Sequence, residues 1–241
     1  MIGAGAFGKN HVRVIHQSEH AELSGILDPN PQRAEDAQKA HGCRVFSSLD
    51  ELISNSDAAV VATPTIAHAE IGCALMNRGL DVLIEKPIAH TIAEGRAMVN
   101  AARAAGRVVQ VGTHRRTSPH TIQAREFIRS GKVGQIGMMR CFVNTGGSGP
   151  EKPSPTLPVP AGLDWDAWCG PAPLRPYTTA IHPRGFRQYL DYANGTLGDW
   201  GIHWFDQVLW ITEEKWPRKV FGTGGRPVKG APILKIGRAH V

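Results

Sequence analysis

The alternation of short apolar runs with helical segments over residues 1–112 constrains the fold of this chain more than any other feature. Strands are predicted at 22–27, 44–46, 58–62, 82–84 and 108–112, and helices or helical turns at 31–41, 49–53, 66–78 and 92–105. Strands that alternate with helices of about ten to fifteen residues indicate βαβ units and a parallel sheet. Because βαβ crossovers are right-handed, the carboxyl ends of these strands should share one edge, where open α/β sheets bind ligands.

A glycine-rich turn near the N-terminus is typical of dinucleotide binding. It reads Gly3-Ala4-Gly5-Ala6-Phe7-Gly8, and apolar residues at helical spacing follow it. Its glycines permit a tight turn and let the backbone approach a pyrophosphate, which the N-terminus of the next helix then faces. Such turns are common, so the prediction also needs a second strand that ends in an acidic residue about twenty positions later. Asp28 meets that requirement.

Asp28 also points to the kind of dinucleotide. Its carboxylate would accept hydrogen bonds from an adenosine ribose and repel a 2′-phosphate, which favours NAD over NADP. Two alternatives stay open: Asp28 could instead form a turn before Pro29, and Arg33 could meet a 2′-phosphate. The predicted cofactor is therefore NAD, with NADP as the alternative.

A lysine is predicted at the same edge, in the triplet Glu85-Lys86-Pro87. Pro87 has no N–H for a sheet ladder, so the strand before it should end and leave Lys86 at the carboxyl edge. A lysine alone at a strand end is usually just solvated. Here the crossovers bring it together with the glycine turn, Asp28 and the Thr63-Pro64 pair. His68, in the first turn of the next helix, is expected either to face the cofactor or to cap the helix.

The second half of the chain has a different texture. A helix is predicted at 119–129 and a strand at 136–143, and nine of the 17 prolines then fall between 150 and 183. That density excludes a helix or a central strand over 146–183, so an ordered excursion anchored by Trp165 and Trp168 is expected. A substrate lid and an arm that contacts another subunit both fit such a loop.

A polar stripe marks the tryptophan-rich stretch 195–210. A helix is predicted from Trp200, with Asp199 and His203 four residues apart on one face and Asp206 continuing the stripe. Polar groups in such a helix need partners or bound water. An N-capping aspartate bonded to a core histidine would satisfy them. A histidine oriented by a carboxylate would also suit proton abstraction from an alcohol.

Composition excludes several classes of function. No apolar run is long enough to span a bilayer, so no membrane association is expected. The net charge of +6 is spread out, without the basic block of a nucleic-acid-binding protein. Four separated cysteines predict a reduced, cytoplasmic protein without a metal site, although an export signal would be lost from an N-terminus that looks truncated. Residues 236–241 are interpreted as a non-native tail.

Together these residues resemble the Gfo/Idh/MocA oxidoreductases, the family of glucose–fructose oxidoreductase and inositol dehydrogenase. The resemblance runs from Gly3 to about Pro232, and its carriers are the glycine turn, Thr63-Pro64 with His68, Glu85-Lys86-Pro87 and Gly198-Asp199-Trp200-Gly201-Ile202-His203. It implies an α/β fold with an N-terminal Rossmann doubly wound parallel sheet. An incomplete C-terminal α/β domain with an open, mostly antiparallel sheet should follow. The corresponding domains are 1–117 and 118–235.

The resemblance also implies roles for individual residues. Lys86, His203 and Asp199 are the expected catalytic residues, and Arg115 is expected to contact the substrate together with Asp199 and His203. The expected cofactor contacts come from Gly3, Gly5, Ala6, Phe7, Gly8, Asp28, Thr63, Pro64, His68, Glu85 and Lys86. A homo-oligomer is expected for the full-length protein.

The leading functional hypothesis is NAD(P)-dependent oxidation of a secondary alcohol on a sugar, cyclitol or related polyol. A glycosidase that keeps NAD bound and oxidises its substrate transiently is one alternative. A dinucleotide-binding sensor without catalysis is the other. The chain departs from the family in its nearly absent first strand and its short C-terminal domain. Missing strands would expose sheet edges, so the fragment could be inactive.

Overall fold

The computed structural model describes residues 1–142, 154–183, 185–189, 191–193, 195–217, 219–221, 223–224 and 239–240. The chain forms two compact units, Met1–Thr113 and His114–Val241. The domain limits expected from the sequence, 1–117, 118–235 and a tail at 236–241, stay predictions. Residues 143–153 lie outside the described part of the chain, and so does most of the tail.

Strands and helices alternate through the first unit as predicted. In chain order it contains α1 (Gly8–His16), β1 (Gly25–Ile26), α2 (Pro31–His41), β2 (Arg44–Val45), α3 (Leu49–Ser54), β3 (Ala58–Val61), α4 (His68–Asn77), β4 (Asp81–Ile84), α5 (Ile92–Ala105) and β5 (Val109–Val111). Local sequence sets several of these limits. The side chains of Thr91 and Glu94 form a reciprocal capping box at the start of α5, and Gly106 ends that helix with a φ of 61°.

Three N-terminal residues take the place of a first strand. The strands β3, β4 and β5 form one parallel sheet, and β1 pairs in parallel with β2. Between them, the N–H of Ile2 donates to the Val60 carbonyl at 2.8 Å, and that of Gly3 to the Leu27 carbonyl at 2.9 Å. The resulting order, β2-β1-(1–3)-β3-β4-β5, is that of a doubly wound dinucleotide-binding sheet. Residues 1–3 therefore occupy the central position of a first strand, between β1 and β3, although they are too few to form a full strand.

A core around α4 buries one face of the sheet, and residues of α1 and α2 form a second core with Val60 and Ala62. Leu75 and Met76 of that helix are fully buried and pack with Val82, Ile84 and Met98. Along β4, Val82 and Ile84 are buried, whereas Asp81 and Leu83 are only partly buried. The two buried side chains hold β4 in this core.

The second unit is mainly helical in its described part. A 3-10 turn at His114–Thr117 precedes α6 (Pro119–Arg129), and α7 (Trp165–Cys169), a 3-10 turn at Gly185–Gln188 and α8 (Gly195–Thr212) follow. The short strands β6 (Thr223–Gly224) and β7 (Ala239–His240) pair antiparallel. None of the helices described in either unit has the length and apolar character needed to cross a bilayer.

Three expectations for this unit were wrong in detail. Residues 136–142 form no strand, and the last residue of the predicted strand lies outside the described residues. The proline-rich stretch does contain a helix, α7, in a proline-free window where the Asp164 side chain accepts a hydrogen bond from the Ala167 N–H. Finally, α8 begins at Gly195, earlier than Trp200.

The anchoring role of two tryptophans is confirmed. Trp165 and Trp168 stack with ring centroids 4.6 Å apart, and Trp165 also packs edge-on against Tyr177. Trp165 donates its indole N–H to the carbonyl of Arg175 at 2.6 Å. These contacts form a small aromatic core that orders the described part of the proline-rich stretch.

Candidate functional site

The glycine turn has the shape that a dinucleotide needs. Gly3 adopts a φ of 86°, and a Cβ there would lie 2.8 Å from the Ala62 carbonyl oxygen, so a side chain would be excluded. A Cβ on Gly8 would collide with the Gly3 backbone. At Gly5 only the Arg33 guanidinium comes near, and Ala6 and Phe7 are exposed. Backbone atoms therefore fill the space beside Gly3 and Gly8. The space beside Gly5, Ala6 and Phe7 is open, and there the backbone can approach a pyrophosphate.

Asp28 lies beside this turn, as predicted. One carboxylate oxygen accepts a hydrogen bond from the Ala4 N–H at 2.6 Å, and the other accepts from the Asn30 N–H at 2.8 Å. The bond from Ala4 connects the residue after β1 to the glycine turn. The bond from Asn30 is the turn-forming role predicted as an alternative for Asp28. Because each carboxylate oxygen can accept more than one bond, the ribose hydroxyls can still be bound there.

A cleft of about 420 Å³ opens beside the turn, between α1 and α2. Its walls include Ala4 of the glycine turn and the cationic side chains Lys9, Arg13 and Arg33. Arg33 is exposed and its Nη1 atom lies 3.9 Å from where a Cβ on Gly5 would stand. This is the position that keeps NADP open as an alternative cofactor.

Glu85 is held firmly at the end of β4. Its Oε1 atom lies 2.7 Å from Nε2 of His11, and its Oε2 atom accepts the Lys86 N–H at 3.1 Å. A Cβ on Gly112, just after β5, would stand 2.9 Å from the Glu85 carboxylate, so a side chain there would displace that carboxylate. Burial raises the pKa of Glu85, but the bonds from His11 and Lys86, together with their charges, outweigh it and lower the pKa.

This lowered pKa predicts an acid-dependent loss of stability. Because the folded protein favours ionised Glu85, the stabilisation is present above the ordinary glutamate pKa and is lost as the pH falls through the lowered value. At neutral pH, Glu85→Gln should lower the free energy of unfolding by about 1–3 kcal/mol. Chemical denaturation as a function of pH should show the difference from wild type shrinking on acidification. The exposed Glu70→Gln serves as control, and a difference that does not change with pH would contradict the assignment.

Thr63 and His68 connect the ends of β3 and β4. His68 is 1% exposed, and its Nε2 and Nδ1 atoms lie 3.0 and 2.9 Å from the carbonyl oxygens of Thr63 and Pro87. The Thr63 hydroxyl is buried and has no hydrogen-bond partner among the described residues. Pro64 caps the 3-10 turn Thr65–Ala67 that leads into α4. An unpaired buried hydroxyl at the edge where the cofactor is expected fits a group supplied by that cofactor.

In the second unit, the predicted polar stripe of α8 contacts two 3-10 turns, His114–Thr117 after β5 and Gly185–Gln188. His203 is 8% exposed, and its ring lies edge-on to that of His114 with centroids 4.9 Å apart. Asp199 is paired with Arg187, with Nε and Oδ2 3.4 Å apart. Asp206 binds Arg116 through two hydrogen bonds of 2.8 and 2.5 Å, and this pairing raises the pKa of Arg116. The predicted stripe is thus occupied by specific partners.

Arg115 lies in the 3-10 turn His114–Thr117. Its guanidinium lies 4.3 Å from the ring centroid of Trp204, a cation–π contact. The buried Nε atom of Arg115 and Nε1 of Trp204 have no acceptor within the described residues. The neighbouring Arg116 uses its Nε edge to bind a carboxylate, whereas that of Arg115 still needs an acceptor. This is consistent with the expected contact between Arg115 and a substrate.

The two units thus gather different parts of the predicted site. The first brings the glycine turn, Asp28, Thr63, Glu85 and Lys86 to one sheet edge, with Lys86 half-buried. The second gathers Arg115, Asp199 and His203 around the start of α8. The meeting of Lys86 with His203 joins residues of different units and stays a prediction, as do all the catalytic and cofactor-binding roles. No cluster of three or more potential metal ligands occurs among the residues that the structure describes.

Three neighbours of the site were missed. His11, His114 and Arg116 contact Glu85, His203 and Asp206 respectively. All three contacts join residues far apart in the sequence, and none follows a local spacing rule. Only the position of His114 directly after the last strand could have singled it out, because that edge was already expected to bind ligands.

Models of known protein families match both halves of the chain. Residues 1–113 match a family model described as an oxidoreductase family with an NAD-binding Rossmann fold, and residues 142–220 match the model of its C-terminal alpha/beta domain. The rhizopine catabolism protein MocA of Rhizobium meliloti is 25% identical over 217 residues, which are 89% of this chain and 57% of that protein. Inositol 2-dehydrogenase 4 of Saccharopolyspora erythraea is 36% identical over 58% of this chain and 43% of its own length.

Solved structures of dehydrogenases are also similar to this chain. The WlbA dehydrogenase of Bordetella pertussis, in complex with NADH and UDP-GlcNAcA, has a TM-score of 0.51 and 34% identity over 56% of this chain and 40% of that one. The scyllo-inositol dehydrogenase of Lactobacillus casei has a TM-score of 0.53 and 26% identity over 55% of this chain and 41% of its own. The chain spans about half the length of the curated relatives it matches. The predicted fold class and the predicted NAD cofactor are confirmed by the matched models.

Proposed function

This chain belongs to the Gfo/Idh/MocA family of oxidoreductases, and from that premise we propose that it belongs to a dehydrogenase acting on a secondary alcohol of a sugar, cyclitol or related polyol. Its N-terminal unit is an NAD-binding Rossmann domain. Relatives named as inositol 2-dehydrogenases and as a glucose-6-phosphate 3-dehydrogenase support this substrate class. Each of these names gives a dehydrogenase that acts at one numbered position of an inositol or a sugar phosphate.

The observation that carries the proposal is the fixed setting of Lys86. The residue before it is held by His11 and packed on Gly112, and the carbonyl of the residue after it is bonded to His68. Such a frame fixes the backbone of Lys86 at the sheet edge where the cofactor is expected, and its side chain carries a compact positive charge. A merely solvated lysine would need no such support.

Each residue then has a defined task. The glycine turn and Asp28 would hold NAD, which would supply the hydride acceptor for oxidation of the substrate alcohol. The Lys86 ammonium polarises the reacting oxygen, and the His203 imidazole accepts the hydroxyl proton. Asp199, four residues earlier on α8, orients His203 and binds a neighbouring hydroxyl. Arg115 offers its unpaired Nε–H to an oxygen of the substrate.

The glycine turn and the residues around it prepare the cofactor's place. Gly3, Gly5 and Gly8 allow the backbone to approach a pyrophosphate, with Ala6 and Phe7 on the open side. Asp28 and the Thr63 hydroxyl offer polar groups to the nucleotide, with Pro64 shaping the turn between β3 and α4. NAD is the preferred form, because the Asp28 carboxylate would repel a 2′-phosphate.

A screen of polyols and sugars with the full-length protein tests the proposal. We expect reduced-nicotinamide absorbance to rise with at least one cyclitol or sugar in the presence of NAD. Cleavage of chromogenic glycosides without accumulation of reduced nicotinamide would instead support the glycosidase alternative. Binding of NAD without turnover across the whole panel would support a sensor. We also propose that the full-length protein forms a homo-oligomer and that it is cytoplasmic.

A further inference from the structure

The side chain of His11 connects α1 to the end of β4. Its Nε2 atom lies 2.7 Å from Oε1 of Glu85, and the two side chains are 21% and 14% exposed. His11 stands in the first turn of α1, and Glu85 directly follows the last residue of β4. The contact therefore joins the helix that begins at the glycine turn to the strand that leads to Lys86.

The imidazole is the donor in this contact. Although burial alone would raise it, the pKa of Glu85 is lowered by the hydrogen bonds from His11 and Lys86, so the carboxylate is ionised at neutral pH. An ionised carboxylate only accepts hydrogen bonds, so Nε2 of His11 must carry a hydrogen. A neutral ring with its one N–H at Nε2 is sufficient.

The second oxygen of the carboxylate is bonded to the backbone of the lysine. The ladder between β3 and β4 reaches Glu85, whose N–H donates to the Val61 carbonyl at 3.0 Å. The N–H of Lys86, next along the chain, donates to Oε2 of Glu85 at 3.1 Å, and Pro87 has no N–H. Each bond of the carboxylate uses a different oxygen, so both depend on one orientation of the group. Without His11 the carboxylate could rotate, and Oε2 would leave the Lys86 N–H.

We propose that His11 is a positioning residue for Lys86, which it ties through the Glu85 carboxylate to the helix that begins at the glycine turn. Phe7 of that turn, which is 55% exposed, packs edge-on against the His11 ring with centroids 5.6 Å apart. The ring therefore contacts both the turn and the carboxylate. Because the cofactor is expected at the turn, these contacts set the lysine backbone relative to the cofactor. The catalytic part of this inference rests on the proposed function.

Hydrogen exchange at the Lys86 amide tests the connection without any reaction. Because Pro87 has no N–H, overlapping peptides that end at Glu85 and at Pro87 differ by the Lys86 amide alone, so mass spectrometry of the full-length protein isolates it. His11→Phe keeps a ring beside Phe7 but removes the N–H donor. The Lys86 amide should then exchange about threefold to tenfold faster, as the net strength of one hydrogen bond predicts.

Amides of the core helix α4 serve as the internal reference in this experiment. Their exchange reports any general loss of stability, which is all that a purely structural bond between α1 and β4 would cause. An exchange rate of the Lys86 amide that is unchanged, or that rises only in step with the amides of α4, would overturn the positioning role.

Further variants test whether the N–H of His11 is responsible. His11→Gln retains a side-chain N–H and should restore most of the slow exchange, whereas a rate as fast as in His11→Phe would overturn the donation. His16→Phe, at the exposed other end of α1, is the matched control and should leave the Lys86 amide unchanged. If His11→Phe does not fold, Glu85→Gln makes the same test, because one amide oxygen cannot replace two carboxylate oxygens. Slow exchange at Lys86 in that variant would overturn the proposal.

Kinetics of the full-length protein test the catalytic part. His11→Phe should lower kcat by about tenfold to a hundredfold, because misplacement of a catalytic group by about 1 Å costs up to the larger factor. The Kd for NAD should stay nearly unchanged, since the glycine turn and Asp28 keep their expected nucleotide contacts. In a Glu85→Gln background the same change should have little further effect on kcat. Equal losses of kcat in both backgrounds would overturn the action through the carboxylate.

The two measurements separate this inference from the proposed function. If no substrate is turned over, the proposed function fails and with it the catalytic part of the inference. The exchange rates still decide whether His11 holds the backbone of Lys86. Faster exchange at Lys86 with an unchanged kcat would support the connection and overturn its catalytic part.

Discussion

Replacing Lys86 with alanine should lower turnover of the full-length protein by about a hundredfold to ten-thousandfold, the range in which a positioned proton-transfer or charge-stabilising group contributes. The Kd for NAD should stay nearly unchanged, because the backbone of the glycine turn and Asp28 would supply most of the nucleotide contacts. Stability should change little as well, since the anchors on both sides of Lys86 belong to His11, Glu85 and His68. Steady-state kinetics, NAD titration and chemical denaturation measure the three quantities.

Two further variants sharpen this test. Lys86→Arg keeps the positive charge but replaces a compact ammonium by a planar guanidinium, so only a partial recovery of kcat is expected. Lys39→Ala removes an exposed lysine that is paired with Glu35 on α2, and it should leave kcat unchanged. Full activity of Lys86→Ala would end the catalytic assignment, whatever the NAD affinity of that variant.

The N-terminal half shows how much of a site can be predicted from sequence. The order of strands and helices, the glycine turn, Asp28 and Glu85-Lys86-Pro87 all follow from local patterns, because each depends on strand periodicity or on the backbone limits of glycine and proline. In the structure these residues share one edge of a parallel sheet, as the right-handed crossovers require.

The supports of that site could not be predicted in the same way. His11 reaches Glu85 across 74 positions of sequence, and Gly112 receives the same carboxylate from the neighbouring strand. Nothing in the helical spacing of α1 distinguishes His11 from a solvent-exposed residue. Contacts of this kind depend on how elements pack, and no pattern within one element records them.

The second half was harder because its patterns are weak or ambiguous. The apolar residues at 136–142 read as a strand, yet a strand forms only where a neighbour pairs with its backbone, and no such neighbour appears in the described chain. The helical face of α8 was predicted well, since a spacing of four residues is a local rule. The individual partners of Asp199, His203 and Asp206 again required the structure.

The position of His203 leads to the second large effect. Replacing it with glutamine should lower kcat by about a hundredfold to ten-thousandfold, because an amide cannot accept the hydroxyl proton. Glutamine keeps a donor and an acceptor at this nearly buried position, so the free energy of unfolding should fall much less than it would for a residue without polar atoms. Kinetics and chemical denaturation of the same preparations separate the two effects.

This comparison also decides between the two interpretations of the α8 stripe. If His203 is a core residue bonded to its neighbours, the activity of His203→Gln should fall only as far as its folded fraction falls. Loss of activity and loss of folded protein should then be equal. If it is the proton acceptor, kcat should collapse in a protein that remains folded. His120→Gln, an exposed histidine on α6, provides the matched control and should change neither quantity. Asp199→Asn should then give a smaller loss than His203→Gln, because an asparagine still orients an imidazole by hydrogen bonding but no longer stabilises its charged form.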